Sequence, residues 1–116
     1  MYKALKVLKD IISTLKDIKY PPEIKLVRRL GNAVALYRPS ENTIYISVEY
    51  IMEIMEKTKD GIAYCEVLSI LAHELQHYID INIHHIYDKR ELEKNALLEE
   101  LKVFKECIDS LHAIHF

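Results

Sequence analysis

Val67-Leu68-Ser69-Ile70-Leu71-Ala72-His73-Glu74-Leu75-Gln76-His77-Tyr78-Ile79-Asp80 is the stretch from which the rest of the chain is read. Val67, Leu68, Ile70, Leu71, Leu75 and Ile79 recur at helical spacing, which predicts a helix from about 62 to 80. His73 and His77 are four residues apart and share one face of it, so two imidazoles can grip one cation without moving the backbone. Glu74 lies one step on, about 100° round the helix, where it reaches a coordinated water rather than the cation. That is the position of a general base. Histidine and glutamate also decorate surface helices idly. Here the apolar flanks Leu71, Ala72, Leu75 and Ile79 place part of this surface inside, and buried imidazoles need partners. The spacing points to a zinc ion.

Working outward, Leu5, Leu8, Ile12 and Leu15 make one apolar stripe of a helix over 2–18, with lysines opposite. Tyr20-Pro21-Pro22 ends it. Ile24, Leu26 and Arg28 alternate with polar neighbours as a first strand, and 33–37 reads as a second. The turn signal Leu30-Gly31-Asn32 between them predicts a hairpin. Pro39-Ser40-Glu41-Asn42 turns into a third strand, 43–47. A short helix over 48–58 follows, with Ile51, Ile54 and Met55 inward and Lys59-Asp60-Gly61 closing it. The last helix begins near Asp88. Its Leu97, Leu101, Phe104, Ile108 and Leu111 form a heptad-like seam for the first helix or for a second copy. This order predicts a single α+β domain over 1–116: a small three-stranded antiparallel sheet packed on about four helices.

The bulk properties narrow the function. A chain of 116 residues with a net charge of −2 has no basic face for nucleic acid and no apolar run that spans a bilayer. Its first twenty residues alternate lysine with apolar residues, unlike a signal peptide, so a cytoplasmic location is expected. Many Ile, Lys, Glu and Tyr and a single Gln fit a thermophile. Cys65 and Cys107 form no C-x-x-C pair, which excludes a zinc finger. They are expected to pack as small buried hydrophobes, a disulfide between them being open.

A catalytic zinc takes three protein ligands and keeps one position for water. Glu91, opening the last helix, is the first choice for the third. Asn95 lies four residues on, on the same face, to hydrogen-bond the far nitrogen of a ligand histidine. Asp88 and Glu91 are also spaced as a capping box, a purely local device. His84 and His85 are alternatives from the loop, and Glu93 is the alternate register of Glu91. His112 and His115, in the tail, are either frayed surface histidines or a group that reaches a zinc site and blocks its open position.

A His-Glu-Leu-x-His helix followed by Glu91-x-x-x-Asn95 at the start of the next resembles the gluzincin metallopeptidases. The nearest likeness is to the minigluzincins, which look like stripped catalytic domains of membrane-embedded zinc endopeptidases. The resemblance implies a zincin-like minimal catalytic fold, with zinc on His73, His77 and Glu91 and with Glu74 as base. Asn95 stands where an aspartate is commoner. It also allows a histidine third ligand, and a zymogen held latent by its C-terminal segment, here 97–116, within or between molecules.

The expected function is therefore a latent zinc endopeptidase acting on peptides or unfolded protein. Its substrate is expected to extend strand 43–47, with Tyr45, Tyr87 or Arg90 stabilising the oxyanion. The alternative is an inactive, zinc-stabilised oligomeric binding module, associating through its terminal helices.

Overall fold

The computed structural model describes the backbone of residues 21–114 and the side chains of 21–59 and 61–111. The helix expected over 2–18, the side chain of His112 and the whole of His115 lie outside the described residues. Three strands come first: β1 (Glu23–Val27), β2 (Ala35–Arg38) and β3 (Thr43–Ser47). Three helices follow: α1 (Val48–Lys57), α2 (Asp60–Asn82) and α3 (Lys89–Ile114). The α+β class holds.

The sheet is mixed, not antiparallel throughout. Its order is β1-β3-β2, with β3 parallel to β1 and antiparallel to β2. The chain does turn at Gly31, where φ is 63° and Leu30 bridges Ala33. That turn does not lay β2 beside β1. Instead β2 reverses through residues 39–42, where Asn42 sits at φ 49°, and β3 returns between the other two. The hairpin is β2–β3. The strand expected to offer an edge, 43–47, is thus the central one, with both edges paired. β2 is an outer strand.

Ile44, Ile46, Ala35 and Tyr37 bury one face of the sheet against Leu71, Leu75 and Tyr78 of α2. Each such large side chain contributes about 1.5–3 kcal/mol by leaving water. The Tyr37 and Tyr78 rings meet edge to face, 5.8 Å apart. Ser47 caps α1 by accepting from the Tyr50 N–H. Ile51 and Ile54 point inward as expected, while Met55 is exposed. Asp60 and Gly61 do not close α1; they begin α2. A Cβ on Gly61 would meet Leu111 at 3.0 Å, so the glycine lets α3 approach closely there.

α2 and α3 pack antiparallel along their length. α2 ends in a 6→1 bond from the His84 N–H to the Ile79 carbonyl and a bond from the Ile86 N–H to the Asp80 carbonyl, with His85 at φ 55° in the left-handed conformation that glycine adopts most easily. Asp80, 1 % exposed, ties this end together. Its carboxylate accepts from Gln76 Nε2 (2.9 Å) and Asn95 Nδ2 (3.1 Å) and meets His84 Nδ1 at 3.0 Å. The other end is closed by a disulfide between Cys65 and Cys107, 42 residues apart in sequence. A loop of that size is worth about 4 kcal/mol in the chain-entropy account. The cysteines are therefore a cross-link rather than two separate buried hydrophobes. Asn95 serves Asp80 rather than a ligand histidine.

Two outcomes follow. Asp80→Ala leaves buried donors without their acceptor and is expected to cost on the order of 3 kcal/mol, read from urea unfolding. His85→Gly relieves a left-handed residue and is expected to stabilise by about 1 kcal/mol in the same assay.

Candidate metal centre

α2 is buried on two sides. Its Leu71–Leu75–Tyr78 side meets the sheet, which turns His73 and His77 toward α3 and Glu74 toward β2. The two histidine rings meet edge to face, 4.9 Å apart. Glu93, from the second turn of α3, faces both: His77 Nε2 lies 3.1 Å from Oε1 and His73 Nε2 lies 3.5 Å from Oε2. One donor atom from each of His73, His77 and Glu93 lies within 4.8 Å of the others, so this group could hold a metal ion. Donors at about 2.0–2.1 Å from a tetrahedral zinc stand about 3.3 Å from each other. The observed separations to Glu93 straddle that value, and two imidazoles with a carboxylate are a zinc donor set.

Glu91 does not join this group. It is exposed, and two residues from Glu93 is about 200° round the helix, so only one of them faces α2. Glu93, the alternate register, is the residue that faces the two imidazoles. His84 pairs with Asp80 and is half exposed, while the side chain of His85 is exposed in the loop; neither joins the metal group.

Glu100 was not foreseen. Its Oε1 lies 2.8 Å from His73 Nδ1. A carboxylate only accepts, so this contact favours the His73 tautomer with its proton on Nδ1, the one in which Nε2 has a lone pair to offer a cation. The signal was present in the sequence: Glu100 is seven residues beyond Glu93, on the same face of α3.

Glu74 is buried beside β2, and its Oε2 accepts from the Tyr37 N–H at 2.8 Å. Its second oxygen has no hydrogen-bond partner among the described residues. Burial pushes the carboxyl above the ordinary glutamate range, and Glu93 adds to the rise. His77, His73 and the Tyr37 amide pull the other way.

The group opens on a cleft of about 350 Å³. Leu36, Pro39, Ile81 and Leu92 supply apolar wall, and Lys89 is the one lysine or arginine lining it among the described residues. The oxyanion candidates Tyr45, Tyr87 and Arg90 do not line it: the Tyr45 hydroxyl donates to Glu41, and Tyr87 and Arg90 are exposed. Among the described residues no helix is long and apolar enough to cross a membrane. No family model matches the chain, and no curated protein and no solved structure shows significant similarity to it.

Glu93→Ala is expected to weaken zinc binding by about a hundredfold or more, and Glu100→Ala by about ten- to a hundredfold. Glu91→Ala is expected to leave it unchanged. Competition with a chromophoric chelator measures all three. Equal losses in the Glu91 and Glu93 variants would remove Glu93 from the ligand set.

Proposed function

We propose that this chain is a zinc-dependent peptidase of the minigluzincin kind, with His73, His77 and Glu93 as ligands and Glu74 as general base. The observation that carries it is the meeting, in one apolar-walled cleft, of two Nε2 atoms, the Glu93 carboxylate and a buried glutamate with one free oxygen. Zinc, when bound, supplies Lewis acidity that acidifies water and polarises a carbonyl.

The protein's own groups supply the rest. Glu100 fixes the tautomer and angle of the His73 ring. The Tyr37 amide holds one oxygen of Glu74 in place and leaves the other to take a proton from water and pass it to the leaving amine. The same burial that raises the Glu74 pKa makes it a stronger base than an exposed glutamate. Lys89 is the donor placed to meet negative charge developing on the substrate carbonyl. An extended peptide would lie along the outer strand β2 instead of β3, with an apolar side chain against Leu36, Pro39 or Leu92.

A second reading is a catalytically inactive, zinc-stabilised oligomeric binding module; Leu97, Leu98 and Leu101 favour it, because they lie exposed together on α3.

Glu74→Gln distinguishes the two. Zinc content is expected to stay at one per chain, while cleavage of unfolded casein by zinc-loaded protein falls by about a hundredfold or more. Cleavage at the wild-type rate would remove Glu74 from the chemistry, and zinc binding without turnover in the wild type would favour the binding module.

A further inference from the structure

We propose that the Cys65–Cys107 disulfide is a redox-controlled clamp on the metal group, so that its reduction loosens the site and releases the cation. This rests on the zinc reading of His73, His77 and Glu93.

The cross-link and the site share one seam. Along it Cys65 meets Cys107, His73 meets Glu100, His77 meets Glu93, and Asp80 meets Asn95. Glu93, Glu100 and Cys107 follow one another at seven-residue intervals on α3. The disulfide therefore lies about 12 Å from His73 along α2 and about 10 Å from Glu100 along α3. Two of the groups that define the site, Glu93 and Glu100, belong to α3, while both imidazoles belong to α2. The geometry of the donor set is therefore the spacing of these two helices.

Among the described residues, the rest of that half of α3 is held by partial contacts, including Leu111 against Gly61 at its far end. Ala96 is its one fully buried residue among the described side chains. Leu97, Leu98 and Leu101 keep about half of their surface in solvent. Val103, Phe104, Ile108 and Leu111 are only partly covered. The loop end is tied independently by Asp80. Cutting the disulfide leaves α3 hinged at Asp80 and free to lift from its far end, which moves Glu100 before Glu93.

The step balances with a dithiol as reductant. Its thiolate attacks a sulfur of the cystine, and the half-buried Cys107 offers the approach, since Cys65 is fully buried. The Sγ–Sγ bond breaks, two electrons and two protons give two thiols, and the reductant closes its own disulfide.

The test uses the full chain in three forms: oxidised, reduced by a dithiol then freed of it under anaerobic conditions, and reoxidised. Zinc affinity is read by chelator competition, and amide exchange of α3 is followed in parallel without metal. The proposal expects zinc affinity to fall by about tenfold or more on reduction and to return on reoxidation. It also expects amides of residues 97–111 to exchange faster in the reduced form while those of β3 and α2 stay protected. Cys65→Ala/Cys107→Ala is expected to behave as the reduced protein and to ignore oxidant. If that variant does not fold, the three wild-type forms still decide. Zinc affinity within twofold in all forms, with two titratable thiols per chain after reduction, would overturn the clamp and leave the metal reading intact. No zinc bound by the oxidised protein would overturn both.

Discussion

The antiparallel contact between α2 and α3 is the constraint on which the rest depends, because it is polar where a helix pair is ordinarily apolar. His73, His77 and Asp80 face Glu100, Glu93 and Asn95 across it. With Glu74 behind, three glutamates converge on two imidazoles, and two of those glutamates are largely withdrawn from water. Charges in such a place are costly unless each has a partner. Glu100 has its partner in His73, and Glu74 has a backbone amide. Glu93 is pointed at two ring nitrogens at once. A divalent cation held between them would satisfy both imidazole lone pairs and the carboxylate together.

The sheet serves this contact more than it serves itself. Its inner face supplies the apolar side that α2 needs, and that burial fixes which way the helix is rotated. Rotation of α2 by one residue would carry His73 and His77 off the seam. β2 then adds a second, directional lock: the Tyr37 N–H, unused by the ladder to β3, captures Glu74. Tyr37 is itself pinned, since its hydroxyl accepts from Asn82 and donates to Asn42 and its ring packs on Tyr78. A chain of short contacts therefore runs from the β2–β3 turn through Tyr37 to Glu74, and another runs from the end of α2 through the same ring.

Several parts of this were legible in the sequence because they obey short-range rules. The α2 helix follows from its apolar spacing, the short α1 from Ile51 and Ile54, and the strand 43–47 from its β-branched residues; the second strand, expected over 33–37, lies at 35–38. The pair His73 and His77 and the adjacent Glu74 needed only helix geometry. What escaped depended on long-range placement. Gly31 correctly marked a reversal but could not say that β3 would take the place beside β1. The return from α2 to α3 carries no glycine, because His85 adopts the left-handed conformation instead, so the loop gave no sign of its sharpness. Glu91 and Glu93 differ only in the rotation of α3, and that rotation is set by partners on α2.

That rotation also explains why hydropathy misled. Leu97 and Leu101 belong to the heptad-like seam, and on apolar spacing alone they should turn toward α2. They are exposed, and Glu93, Glu100 and Cys107 face inward in their place. Turning Leu97 and Leu101 in would bury more apolar surface, but it would carry Glu93 and Glu100 off the histidines, Asn95 off Asp80 and Cys107 off Cys65. Four specific ties outweigh two leucines: each buried leucine is worth about 1.5–3 kcal/mol, whereas the cross-link alone is worth about 4 kcal/mol. An unpaired Asp80 would cost several more. α3 is therefore oriented by its chemistry more than by its hydrophobicity, and Leu97, Leu98 and Leu101 are left exposed as the consequence.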